Sequence, residues 1–217
     1  MTLQNRALPT GDVVADPARG TLTGNRGILH DDHRQLGTAR WRHPHWISCS
    51  LDWKGTRRTP MNPGTWTELF FLDEAVALAA GHRPCALCRR PAFRAFQAAW
   101  VAGTGLPDNA PAIDRTLHQA RVTRDRRQVR HEAPLHALPD GTFVLWQQAP
   151  HLVRGAHLIA FTPAAYGALL PRPEAIVTVL TPAPLVAALG AGYALLLHSS
   201  AETRRCPSPS IPVPPTA

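Results

Sequence analysis

Apolar and polar positions partly alternate from Trp46 to Trp53. That is the two-residue period of a half-buried strand, with Ile47, Cys49, Leu51 and Trp53 on one face. Lys54 and Gly55 supply a turn. Residues 56–61 are expected to return as the second strand of a hairpin, and residues 65–71 to form a further strand. The pattern then changes. Ala75, Val76, Ala77, Leu78, Ala79 and Ala80 favour helix, Asp73 is placed to cap its start, and Gly81 suits the position just past its end. Pro91 fits the first turn of a second helix, in which Phe93, Phe96 and Trp100 recur at i, i+3 and i+7 and predict a core-facing stripe. Pro107, Asp108 and Asn109 open a third helix to about Val122, followed by a basic, mobile connection over residues 121–130.

From residue 141 short apolar runs dominate. Residues 142–146, 150–154 and 156–161 read as strands joined by tight turns, and residues 176–181 and 193–198 as two more around a short helix at 185–189. The opening residues 2–27 read as loop with short extended pieces. The expected fold class is therefore α+β. Residues 1–133 carry short helices and a small sheet, residues 134–200 form a β-rich part, and residues 201–217, with five Pro among the last eleven, are expected to be a disordered tail. No internal repeat is present.

Charge sharpens this division. Residues 1–133 hold 19 basic and 12 acidic side chains, against 4 and 3 in the remainder, and all but one of the basic residues are Arg. A basic part beside a nearly neutral one points to an anionic partner, nucleic acid being the commonest. No leader-like apolar run opens the chain, and the longest apolar stretch, residues 183–197, is broken by Pro184, Gly190 and Gly192. The expected compartment is the cytoplasm. There, four Cys with two in a C-x-x-C argue for metal or redox chemistry rather than disulfides.

Cys85 and Cys88 lie three positions apart on an expected turn before a helix, so both thiolates can reach one tetrahedral zinc, helped by turn amides and the helix N-terminus. Cys49 is the expected third ligand. His30, His45 and His82 are the alternatives for the fourth, with His30 preferred because Asp31 and Asp32 beside it could orient an imidazole. Cys206 sits in the tail and is excluded.

Phe70 and Phe71, the Ala-rich stretch after Glu74, and then Gly81, His82, Arg83, Pro84, Cys85 and Cys88 follow one another in a pattern. It resembles the second half of the metal-binding domain of Ada DNA-repair proteins. That family shows an aromatic strand end, an Ala-rich helix and Gly-aromatic-Arg-Pro-Cys-x-x-Cys. The resemblance covers residues 70–90 and implies a zinc ion on Cys85 and Cys88. Ada proteins carry C-x-x-x-C upstream, and one of those thiolates accepts a methyl group from a DNA phosphotriester. Here only Cys49 is present, with His45 four residues before it. An imidazole in place of a thiolate leaves less negative charge on the sulfurs, so the resemblance carries zinc binding and not methyl acceptance. The whole chain resembles a family of uncharacterised bacterial proteins, which implies no activity.

Three functions follow from these residues. Arg121, Arg124, Arg126, Arg127 and Arg130, with Arg89 and Arg90 after the C-x-x-C, are expected to contact phosphates of nucleic acid. Alternatively, Asp114 and His118 share a helix face at i and i+4, and with His131 would make a phosphodiester hydrolase site. The third is a zinc-stapled protein-interaction module. Gly24, Asn25, Arg26 and Gly27 lack the spacing of a phosphate-cradling loop and are assigned no nucleotide role.

Overall fold

The structure, a computed structural model, describes residues 2–55 and 59–202. Its elements in chain order begin with β1 (Gln4–Ala7), β2 (Val13–Ala15), β3 (Leu22–Asn25), β4 (Ile47–Ser50) and β5 (Leu69–Phe71). Next come α1 (Glu74–Ala79), β6 (Arg83–Pro84), α2 (Arg90–Thr104), α3 (Ala110–Arg121) and β7 (His131–Pro134), followed by a single 3₁₀ turn. The rest are β8 (Phe143–Trp146), β9 (Ala149–Arg154), β10 (His157–Phe161), β11 (Tyr166–Pro171), β12 (Ile176–Val179), α4 (Ala183–Gly190) and α5 (Ser199–Glu202). The described residues thus form a mixed α+β fold with two six-stranded sheets. The first runs β2-β1-β5-β3-β4-β6, with β1 parallel to β5 and β4 parallel to β6. The second, β11-β10-β9-β8-β12-β7, is antiparallel throughout. No helix among the described residues is long and apolar enough to cross a membrane.

The helices form where expected. Asp73 Oδ1 accepts the Val76 N–H and caps α1, Asn109 Oδ1 accepts the Ala112 N–H and caps α3, and each satisfies a donor with no intrahelical partner. Gly81 takes the left-handed conformation after α1 (φ +84°). Phe93, Phe96 and Trp100 are buried against Ile113 and Leu117 of α3 and Leu185 and Leu189 of α4. Full burial contributes roughly 1.5–3 kcal/mol for a side chain such as Phe96.

The strands diverge more. Residues 59–61 are irregular and turn, not the return strand of a hairpin, and residues 56–58 lie outside those described. Residues 193–198 are not a strand, because their backbone serves two buried carboxylates instead. Leu196 N–H donates to Glu74 Oε2, and His198 N–H to Asp73 Oδ2. Tyr166 and Tyr193 hydroxyls also donate to Asp73 and Glu74. The start of α1 is thereby tied to residues far beyond 133. The apolar core does the same, since Leu69, Phe71 and Val76 share one cluster with Phe143, Ile159 and Tyr166. The expected boundary near residue 133 falls inside β7, which pairs with β12. The expected tail and Cys206 lie outside the described residues, apart from 201 and 202, which sit in α5.

Candidate metal centre

β4 and β6 run side by side in parallel, with Ser48 paired to Pro84. The Cys85 N–H donates to Ser48 O at 3.0 Å, so the residue after Ser48 and the residue after Pro84 end at one place. Those residues are Cys49 and Cys85, and the turn after β6 brings Cys88 to them. The three Sγ atoms all lie within 4.8 Å of one another. A tetrahedral zinc with bonds of about 2.3 Å needs its sulfurs roughly 3.8 Å apart, so small rotamer changes close the trio on an ion. Three cysteines therefore meet in a group that could hold a metal ion. Among the described residues, no His, Asp or Glu joins them within that distance.

Crowding three thiols splits their acidities. Cys85 is drawn down to about 5, first because the Cys49 S–H donates to it and then because the Cys88 and Leu87 amides do, with burial opposing. The Leu87 N–H to Cys85 Sγ distance is 3.4 Å. Cys49 is pushed far above the ordinary thiol range by that same donation, with burial adding to it. Cys88 is raised, chiefly by burial, against a hydrogen bond from the Ser50 amide. At neutral pH the metal-free trio thus holds one thiolate and two thiols, one negative charge aimed at a shared point. A cavity of about 360 Å³ adjoins all three and is walled by Trp53, Trp66 and Phe70, with Glu68 at its side.

The expected fourth ligands are elsewhere. His30 Nδ1 lies 2.7 Å from Thr67 Oγ1 and its Nε2 lies 3.2 Å from Asn62 O, so both ring nitrogens are engaged and the preference for His30 as a ligand is corrected. His82 is fully buried between Phe71 and Trp46, with Nε2 accepting from Arg26. His45 Nδ1 meets Asp114 Oδ2 at 2.8 Å. The preference for His30 rests on its neighbours in sequence, whereas the surroundings of all three are set by residues distant in the chain.

Asp114 does not pair with His118. Its two oxygens take the Arg83 fork, Nε and Nη2 each at 2.8 Å, while His118 Nδ1 contacts Arg121. The acid of the expected hydrolase site is therefore an anchor for β6 and the turn that carries Cys85. His131 stands on β7.

The arginines divide in two. Arg89 is buried, with Nη2 2.8 Å from Glu74 Oε1 and Nη1 bonded to Ser48 Oγ, and Arg121 is buried against Trp46. Neither presents a free surface to nucleic acid, which corrects their assignment. Arg90, Arg124, Arg126, Arg127 and Arg130 are exposed. The connection over residues 121–130 is also more ordered than expected: Thr123 N–H donates to Arg127 O, Arg126 N–H to Thr123 O, and Val129 N–H to Arg121 O. Arg127 further pairs with Asp125 at 2.9 Å. No family model, curated protein or solved structure matches this chain, so its function rests on this geometry.

Proposed function

We propose that the chain binds one zinc ion through Cys49, Cys85 and Cys88, with the fourth coordination position open to the aromatic cavity. The observation that carries this reading is the trio itself, three sulfurs gathered from β4 and the turn after β6 at one wall of a ligand-sized space. Thiolate sulfur selects zinc and other thiophilic ions over magnesium or calcium. A purely structural zinc has four protein ligands, whereas a site that exchanges ligands keeps one position open. Trp53, Trp66 and Phe70 suit a molecule with an apolar body, and Glu68 could meet a polar end of it.

Cobalt substitution tests this directly. Cobalt loaded in place of zinc should give thiolate charge-transfer absorption and tetrahedral ligand-field bands. Those bands should move when imidazole or a small thiol is added and enters the open position. A second readout is the count of reactive thiols in zinc-loaded protein, expected to be Cys206 alone. Bands indifferent to added ligand, together with a protected Cys206, would mean that a fourth protein ligand closes the site. Protein purified without chelator that contains no zinc would remove the reading altogether.

A further inference from the structure

Arg26 and Arg121 come from the loop after β3 and from the last turn of α3, and they meet at Trp46. Both guanidinium carbons lie 4.0 Å from the centroid of its ring. Arg26 and Arg121 are 3% and 2% exposed, so each charge is out of water. Among the described residues neither has a carboxylate partner. Arg26 donates only to neutral acceptors, His82 Nε2, Gly11 O and Ala80 O. Arg121 donates to Gly81 O and Pro44 O, and its Nε–H is buried with no acceptor at all. Removing a charge from water is costly unless an opposite charge replaces the solvent. Trp46 and the carbonyls solvate these cations in part, and the orphan donor shows that the solvation is incomplete.

Both residues line one cavity of about 410 Å³. Arg40, Arg126, Arg127 and Arg130 complete its wall, and Asp12 is its single carboxylate. Arg127 is engaged by Asp125, while Arg40, Arg126 and Arg130 are exposed and pair with no carboxylate among the described residues. A concave wall with a large excess of positive charge over a low-dielectric floor concentrates the field inside it. Guanidinium forks match phosphoryl oxygens in bidentate geometry. The volume fits a small molecule.

We propose that this cavity is a binding site for a small phosphorylated molecule, its phosphoryl group facing the buried floor of Arg26 and Arg121 and gripped from the rim by Arg40 and Arg130. The site is independent of the cysteines and of the metal reading. Desolvation holds both buried guanidiniums down to about 9, with repulsion from Arg40 adding to it at Arg26 and from Arg26 at Arg121, and only partial relief from the more distant Asp12 and Asp114, a cost that a bound dianion relieves.

The test is calorimetric titration of the full chain with inorganic pyrophosphate and with orthophosphate, in about 50 mM sodium chloride to limit screening. Saturable binding of pyrophosphate, one per chain, is expected. The double variant Arg40→Gln with Arg130→Gln changes only exposed rim residues and should weaken binding at least about tenfold, since each charged hydrogen bond contributes on that scale. Arg124→Gln, outside the cavity, should leave it unchanged. Three results would overturn the proposal: no heat or thermal shift with either phosphate, binding that the double variant retains, or a single-stranded oligonucleotide that binds and is not displaced by pyrophosphate. Retained binding would also expose chelation at the cysteines, which the double variant keeps. Loss in the double variant with an unchanged melting temperature separates ligand contact from misfolding.

Discussion

Three thiols meet between β4 and the turn after β6, and two guanidiniums meet on the ring of Trp46. Both assemblies crowd groups of like charge, yet they handle it differently. The thiols can keep their protons: Cys49 and Cys88 stay neutral, so the metal-free trio carries a single charge, on Cys85. The guanidiniums have no such exit near neutral pH, since even at about 9 Arg26 and Arg121 remain protonated. One region sheds charge until a cation arrives, and the other bears charge permanently under a ring and a few carbonyls. The difference explains how three thiols can be gathered at one point without mutual repulsion, whereas the arginine cluster needs a rigid frame. That frame includes Gly81, where an added Cβ would come within 2.7 Å of Arg121 Cδ.

The contrast breaks most completely at Cys85. Cys85→Ser removes the one thiolate and the sulfur that both neighbours address, and zinc content should fall from about one per chain to near zero. Metal analysis after gel filtration reads this. Zinc retained in the variant would show that the trio is not the site.

Next in size is Asp114→Asn. Arg83 is buried and forked on Asp114, and removing one partner of a buried pair costs about 3–5 kcal/mol. Chemical denaturation should show a loss on that scale. Zinc affinity should drop with it, since Arg83 fixes the strand leading to Cys85. A loss below about 1 kcal/mol would mean that Arg83 finds other acceptors, as its Nη1 already does at Pro84 O.

An intermediate effect sharpens how the trio sheds charge. Zinc needs three thiolates and finds one near neutral pH, so binding should release about two protons per ion. Affinity then rises with pH, by roughly 100-fold per unit while two protons are displaced. The slope steepens as pH falls below about 5, where Cys85 must lose its proton as well. In metal-free protein, thiolate absorbance for one sulfur should persist down to about pH 5 and be absent from Cys85→Ser. Release of three protons near neutral pH would mean that Cys85 is an ordinary thiol.

How far these sites could be read from the chain follows from the distances in sequence that they span. Helix α1, its cap at Asp73 and the C-x-x-C turn are local, so residue type and spacing reveal them. Cys49 was legible beside Cys85 and Cys88 because a shared metal would explain it better than packing alone, although only the parallel pairing of β4 with β6 brings it to Cys85. Arg26 and Trp46 carried no signal as an anion site. Arg26 stands in a stretch without phosphate-loop spacing, and Trp46 read as the start of a strand. Their meeting with Arg121 depends on the end of α3 reaching the Gly81 and Pro44 carbonyls, which are distant in the chain. Conversely, the dense run after Arg121 looked mobile from charge alone. The Thr123 hydroxyl, which accepts the Arg127 N–H, and the backbone bonds around it hold that run in a turn. The strands at 131–134 and 166–171 were missed because neither alternates cleanly, and each is stabilised by its partner strand rather than by its own pattern.

The smallest expected effect separates helix integrity from charge. Asp114 and Arg121 sit on α3, so any damage to the helix could imitate the loss of either. Asn109 caps the same helix, and its Oδ1 accepts the Ala112 N–H at 3.0 Å at an exposed position. Asn109→Ala should cost about 1 kcal/mol, the usual penalty for losing such a cap. Ile113 and Leu117 remain buried against α2 and hold α3 in place. Zinc content and pyrophosphate affinity should therefore stay within about twofold of the unaltered chain, a change below about 0.4 kcal/mol. Denaturation, metal analysis and titration on this one variant supply the baseline for Asp114→Asn. If Asn109→Ala lowered metal or anion binding as much as the charge variants do, both sites would be reporting the stability of α3. The distinction between a region that sheds charge and one that must bear it would then lose its support.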